Sequence, residues 1–246
     1  MRLTVLGGCG AWPGAGQACS GYLLEHDGFR LLIDPGYAVL PRLLDRIGAE
    51  EVDAVYVSHG HPDHCADLNP LLRARALTDD PAPALPLYAP PGALDAVLAL
   101  DRPGMLDDAF ELREFEPGAE LEIGPWRAET RLLPHSRPNA GIRLAAGDRV
   151  VTYTGDTGPS PELAVLARDA GLLVADASYV DEVAEENAGT LLSARLAGRL
   201  ATEAGSGRLL LAHLFPGTDQ AAAVGAARDG YSGPVEVAVP DVVVEL

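Results

Sequence analysis

Alternating apolar and polar positions over residues 2–6 predict a strand, and residues 22–25 and 29–33, joined by His26-Asp27-Gly28, predict a hairpin. Asp34-Pro35-Gly36 then turns the chain, and helical spacing of apolar residues marks a helix over 40–47. Residues 54–57 form a short buried strand, followed by a helix over 66–77, a strand over 85–89 and a helix over 92–100. From 110 to 154 the two-residue period dominates, with strands over 111–115, 126–133, 142–145 and 150–153. Helices over 162–170, 190–204 and 219–229 then alternate with strands over 172–175, 209–212 and a closing 235–239. No residue-level repeat is visible, only two similar α/β halves around a β-rich middle.

At 246 residues and 48% hydrophobic composition the chain can bury a large core, and a single domain over 1–246 is expected. No apolar run is long enough to span a bilayer, and the start Met-Arg-Leu-Thr-Val-Leu lacks a secretory signal, so a soluble, cytoplasmic protein with no membrane partner is expected. Cys9, Cys19 and Cys65 form no CxxC pair and are odd in number, which argues against a disulfide framework. Cys65, although beside His64, reads as a small buried side chain.

Charge narrows the partners. There are 36 acids against 18 bases, a net charge of −18, and every base is Arg, so lysine chemistry is excluded. No basic stripe exists to replace counterions along a phosphate backbone, which disfavours nucleic acid but leaves room for a small-molecule substrate in a local positive pocket. The Gly-rich segment 7–16 fits neither a P-loop nor G-x-G-x-x-G, so its glycines serve sharp turns and close approach.

Candidate chemistry is concentrated at 58–64, Ser-His-Gly-His-Pro-Asp-His, delivered at the C-terminal end of the 54–57 strand. Random scatter would produce H-x-H-x-D-H about 3 × 10⁻⁴ times in such a chain, so chance is a poor explanation. His59, His61, Asp63 and His64 combine imidazole and carboxylate ligands suited to Zn²⁺, Mn²⁺ or Fe. His135, Asp156 and His213 each follow a predicted strand as well. His26, in the hairpin turn, reads as a solvated turn residue.

Together these residues resemble the metallo-β-lactamase fold superfamily, in particular its ribonuclease Z-like phosphodiesterase branch. The resemblance rests on 58–64 with Asp67-Leu68, the stretch from Pro134-His135 to Gly141-Ile142-Arg143, Tyr153-Thr154-Gly155-Asp156-Thr157, Ala175-Asp176-Ala177-Ser178 and Leu211-Ala212-His213-Leu214. It is strongest to small bacterial cyclic-nucleotide phosphodiesterases without a tRNA-gripping arm. The resemblance implies an α/β fold, a four-layer αβ/βα sandwich with the site at one edge of two facing sheets. It implies two divalent metal ions, Zn²⁺ before Mn²⁺ or Fe, one held by His59, His61 and His135, the other by Asp63, His64 and His213, with Asp156 bridging. Asp34 would orient a ligand histidine from behind.

The implied reaction is hydrolysis of a small phosphodiester such as a cyclic nucleotide by a hydroxide bridging the metals, with Asp63 also handling the water's proton. Lactamases proper tend to carry Cys where Asp156 stands, which favours ester or phosphodiester chemistry. Arg137 is the candidate phosphate contact. One departure matters: the relatives' proton-donating His position is Leu191 here, and its supporting Glu position is Asp176. Carboxylic ester, thioester or lactone hydrolysis, a tRNA 3′-processing ribonuclease and a non-catalytic metal-bound ligand sensor are the alternatives. Relatives often pair, so a homodimer is within expectation.

Overall fold

The computed structural model describes residues 1–246. Six strands of the first half are β1 (Arg2–Gly7), β2 (Gly21–His26), β3 (Phe29–Ile33), β4 (Ala54–Tyr56), β5 (Leu85–Ala89) and β6 (Phe110–Glu114). Helices α1 (Val39–Leu44), α2 (Pro62–Cys65), α3 (Leu68–Ala76) and α4 (Asp95–Leu98) are interspersed with them. The second half contains β7 (Glu120–Ile123), β8 (Trp126–Leu133), β9 (Asn139–Ala146), β10 (Arg149–Tyr153), β11 (Leu172–Asp176), β12 (Leu209–Ala212) and β13 (Val235–Val237). Its helices are α5 (Pro161–Ala167), α6 (Ala194–Glu203) and α7 (Gln220–Arg228), and β14 (Val243–Glu245) ends the chain.

These strands form two seven-stranded sheets, β14-β1-β2-β3-β4-β5-β6 and β13-β12-β11-β10-β9-β8-β7. The two-residue side-chain period sorts each strand between two cores. Leu3, Val5, Tyr22, Leu24, Leu31, Ile33 and Tyr56 point inward and meet Trp126, Ile142, Val151, Val174 and Leu210 of the other sheet. Leu23, Leu32 and Val55 point outward onto Val39, Leu43, Leu68 and Leu72 of α1 and α3. Leu173, Leu209 and Leu211 do the same against Leu163, Leu200 and Ala223 of α5, α6 and α7. Helix, sheet, sheet and helix therefore stack as the expected four-layer αβ/βα sandwich. Central strands buried on both faces read as continuous apolar runs, which is why they were visible from sequence.

Two short edge strands were not predicted. β7 alternates Glu120, Leu121, Glu122 and Ile123 at a sheet edge, and β14 exists through its antiparallel pairing of Leu3 with Val244. The chain thus closes on β14, beyond the predicted 235–239 strand, which ends at Val237. The predicted 66–77 helix begins two residues late, as α3, and the short α2 before it was not predicted. Pro62 starts α2 early, and Asp67 is diverted to tertiary contacts, donating its N–H to Pro35 O (2.9 Å) and accepting from Leu40 N (2.7 Å). The helix expected over 92–100 shrinks to α4, since Gly92 has a positive φ of 71°. Expected starts at 190 and 219 move to α6 and α7, where Ser193 and Asp219 cap the first turns through their side chains. His26 is also corrected: it closes β2, half-buried, with its ring 6.3 Å from that of Trp126.

Candidate metal centre

Every predicted ligand lies on one edge of the sandwich, where loops leave the C-terminal ends of strands. The loop after β4 carries His59 and His61 and enters α2 with Asp63 and His64; His135 follows β8, Asp156 follows β10 and His213 follows β12. The first sheet thus contributes four of these side chains and the second contributes three. Asp34, His213 and Ala11 sit at φ of 48°, 61° and 60°, a region costly for residues with a Cβ. Such strain collected around one cluster of polar groups marks a site that the surrounding fold holds in place.

The geometry separates the residues into two overlapping groups, His59, His61, His135 and Asp156, and Asp63, His64, Asp156 and His213, each with ligand atoms within 4.8 Å of one another. In the first, His61 Nδ1 lies 3.0 Å from His59 Nε2 and 3.1 Å from His135 Nε2, and Asp156 Oδ2 is 3.8 Å from both Nε2 atoms. In the second, His213 Nε2 is 3.2 Å from Asp63 Oδ2 and 3.1 Å from Asp156 Oδ2, while His64 Nε2 is 3.3 Å from Asp156 Oδ1. Ligands about 2.0–2.2 Å from a tetrahedral ion stand about 3.3–3.6 Å apart, so these spacings suit a cation at the centre of each group. His64 Nε2 and Asp156 Oδ1 are buried and make no hydrogen bond, although each faces the cluster. Buried polar atoms left this way call for a partner, and a metal ion fits both the donor set and the orphaned atoms.

The other imidazole nitrogens are anchored from behind. His64 Nδ1 lies 2.7 Å from Asp34 Oδ2 and His135 Nδ1 2.9 Å from Thr190 O. Ser58 Oγ donates to Asp34 (2.6 Å) and so accepts from His59 Nδ1 (3.1 Å); Ser178 Oγ donates to Asp176 (2.7 Å) and accepts from His213 Nδ1 (2.8 Å). Four rings are thereby set as Nδ1–H tautomers with the Nε2 lone pair turned toward the cluster. His61 is reversed, presenting Nδ1 inward, with Nε2 near Ser136 Oγ at 3.5 Å. Tyr153 Oη also donates to Asp34 Oδ2, at 2.7 Å.

Electrostatics favours the metal-binding forms of the carboxylates. Burial resists ionisation of Asp63, but the imidazoles of His213 and His64, whose own pKa values the neighbouring carboxylates raise and whose Nε2 protons a bound cation would displace, hold it well below the usual carboxylate range. For Asp156 burial is again opposed, chiefly by the charges that His213 and His64 carry in their protonated forms, and its carboxyl too is held well below that range; the neutral tautomers are the forms in which these two rings would hold a cation. Burial also keeps His59 and His61 neutral, their pKa values lowered.

The remaining predicted residues occupy distinct places. Arg137 is exposed and makes no ion pair or hydrogen bond, in an open groove of about 450 Å³ lined by His135, Ser136 and Ser160. Leu191 is buried, one residue from the carbonyl that anchors His135. Asp176 accepts from Thr157 N (3.1 Å), Leu192 N (3.2 Å) and Ser178, and burial, opposed by His213 and reinforced by Asp156, pushes its pKa up to about 6. Tyr153, Thr190 and Ala11, whose N–H donates to Asp63 Oδ2 at 2.8 Å, were missed as partners. Asn139 was missed as well; its Nδ2 holds the Asp156 loop through Thr154 O (2.9 Å) and Asp156 O (2.7 Å). Tyr153, Asn139 and Ala11 carried a signal, each standing within a stretch already singled out; Thr190 did not.

Known proteins share this arrangement of elements. The family model described as "Beta-lactamase superfamily domain" matches residues 29–214. The probable metallo-hydrolase YhfI of Bacillus subtilis is 32% identical over 217 residues, 87% of each chain. A crystal structure of YhfI superposes with a TM-score of 0.90 at 30% identity, over 99% of this chain and 98% of that one. The ribonuclease Z of Myxococcus xanthus is 28% identical over 301 aligned positions, covering 100% of this chain and 98% of its own.

Proposed function

The chain belongs to the beta-lactamase superfamily and is a metallo-hydrolase, and from that premise we propose that it is a two-metal phosphodiesterase acting on a small substrate such as a cyclic nucleotide. The observation that carries this reading is Asp156, whose two oxygens face nitrogen atoms of both histidine groups, as a carboxylate shared by two ions must. The all-nitrogen and oxygen donor set suits Zn²⁺ first, with Mn²⁺ or Fe as substitutes. Two such ions would polarise a phosphoryl oxygen and bring a water's pKa toward neutrality.

The protein's own groups divide the rest of the work. Asp63 turns Oδ2 toward His213 and the Ala11 N–H, while Oδ1 has no hydrogen-bond partner in the protein and is available to hold the attacking water's proton. Arg137, free of any acidic partner in a chain of net charge −18, offers a guanidinium fork to a phosphate beside His135. Asp34, Ser58 and Ser178 keep the histidine rings oriented. Leu191 provides no proton for a departing alkoxide, which favours substrates whose leaving group is a weak base.

Parallel turnover assays on cyclic AMP, bis-p-nitrophenyl phosphate, a lactone panel and a tRNA precursor test this reading. Hydrolysis of the two phosphodiesters, lost on chelation, is expected. Turnover confined to lactones would reassign the centre to carboxylic esters, and cleavage of the tRNA precursor alone would make it a processing nuclease.

A further inference from the structure

Beyond the metal ligands, one aromatic side chain near the centre is stacked on a neighbour yet open. The loop between β1 and β2 is clamped to two of the candidate ligands. Ala11 N–H reaches Asp63, and Gly10 lies so near His213 that a Cβ there would fall 2.5 Å from the His213 carbonyl oxygen and 2.7 Å from its Nδ1. The left-handed turn at Ala11 then delivers Trp12. Its indole stacks on Phe215 with centroids 5.7 Å apart and planes 11° from parallel, and Tyr179 meets Phe215 edge-on at 5.7 Å. Phe215 in turn lies 6.2 Å from the His213 ring.

This packing uses one face of the indole and leaves Trp12 54% exposed, whereas Trp126, the other tryptophan, is enclosed in the core. A tryptophan held parallel to its neighbour presents its second face as a ready stacking surface. The two flanks of the metal centre differ in chemistry as well. Beside His61 and His135 stands the unpaired cation Arg137; beside Asp63 and His213 stands the neutral aromatic pair. A substrate matching both has a phosphate and a planar π-rich group, and an uncharged stacking contact avoids the repulsion that an acidic chain imposes on an anion.

We infer that Trp12, backed by Phe215, is a stacking platform for a nucleobase and sets the preference of the metal centre for nucleotide over base-free phosphodiesters. This rests on the phosphodiesterase reading. The probes are adenosine 5′-monophosphate and ribose 5-phosphate for binding, and cyclic AMP and its base-free analogue, methyl riboside 3′,5′-cyclic phosphate, for turnover.

With the metal-loaded protein, adenosine 5′-monophosphate quenches the solvent-exposed tryptophan emission and ribose 5-phosphate does not. The quench disappears in Trp12→Ala, where buried Trp126 still reports the folded state. Because base stacking is worth about 1–3 kcal/mol, Trp12→Ala raises the ratio of KM for cyclic AMP to KM for the base-free ester about tenfold, and Trp12→Phe restores much of the difference. Equal quenching by both ligands, or an unchanged KM ratio, would overturn the platform while leaving phosphodiester hydrolysis intact. If neither cyclic ester is turned over, the phosphodiesterase reading fails, and base-specific quenching alone still decides the platform.

Discussion

Three hydrogen bonds converge on a single oxygen of Asp34, from Ser58 Oγ, His64 Nδ1 and Tyr153 Oη, and Ser58 N donates to the other oxygen. An amide cannot accept all four, and it removes the negative charge that favours the His64 Nδ1–H tautomer. Asp34→Asn should weaken Zn²⁺ affinity about 10–100-fold, measured by competition with a chromophoric chelator. Unchanged affinity would show that His64 is held by other means. Leu191 leads to a second expectation: Leu191→His should raise turnover of cyclic AMP at constant metal content, and failure to do so would dismiss that position as a proton-donor site. Residues within the 58–64 motif were legible because their ligand spacing is local, and His135, Asp156 and His213 because each ends a strand. The pairings of Tyr153 with Asp34 and of Thr190 with His135 were not, since 119 and 55 positions separate them and only the fold brings them into contact.

At the scale of elements, α3 shows how one buried cation fastens a layer to its sheet. Arg75 is buried in the outer core, donating to Ala49 O (2.8 Å), Val52 O (3.0 Å) and Pro83 O (2.9 Å). These carbonyls belong to the connections that flank β4 and β5, so Arg75 ties α3 to both. Arg75→Met keeps much of the apolar stem but abandons three carbonyls, and should cost about 3 kcal/mol, lowering Tm by about 5–10 °C in a thermal melt. A melt within a degree or two of wild type would mean that water replaces the guanidinium. Central strands were readable from their apolar runs, while the short α2 was not predicted and α3 begins two residues later than expected, because the break at Asp67 comes from Pro35 and Leu40, contacts with no local signature.

Across the whole molecule, the two sheets share the inner core at one level and the ligand cluster at their edge. His59, His61, Asp63 and His64 come from the first sheet's loops and His135, Asp156 and His213 from the second's. Metal binding at this cluster would therefore link the sheets, and at a thousandfold excess over Kd each occupied site would add about 4 kcal/mol to stability. Chelation should lower Tm by about 10 °C or more without abolishing the fold, since all three cores persist; an unaltered Tm would argue against ions bridging the sheets. The acidic balance of −18 was legible from composition, but Arg137 beside His135 acquires meaning only once the fold leaves it exposed and without an ion pair in the groove at the metal cluster. Titration of chelated protein with Zn²⁺ while following cyclic AMP hydrolysis tests the proposed two-metal centre most directly. Activity should be absent without metal and saturate at two equivalents per chain; saturation at one equivalent, or turnover that survives complete chelation, would contradict it.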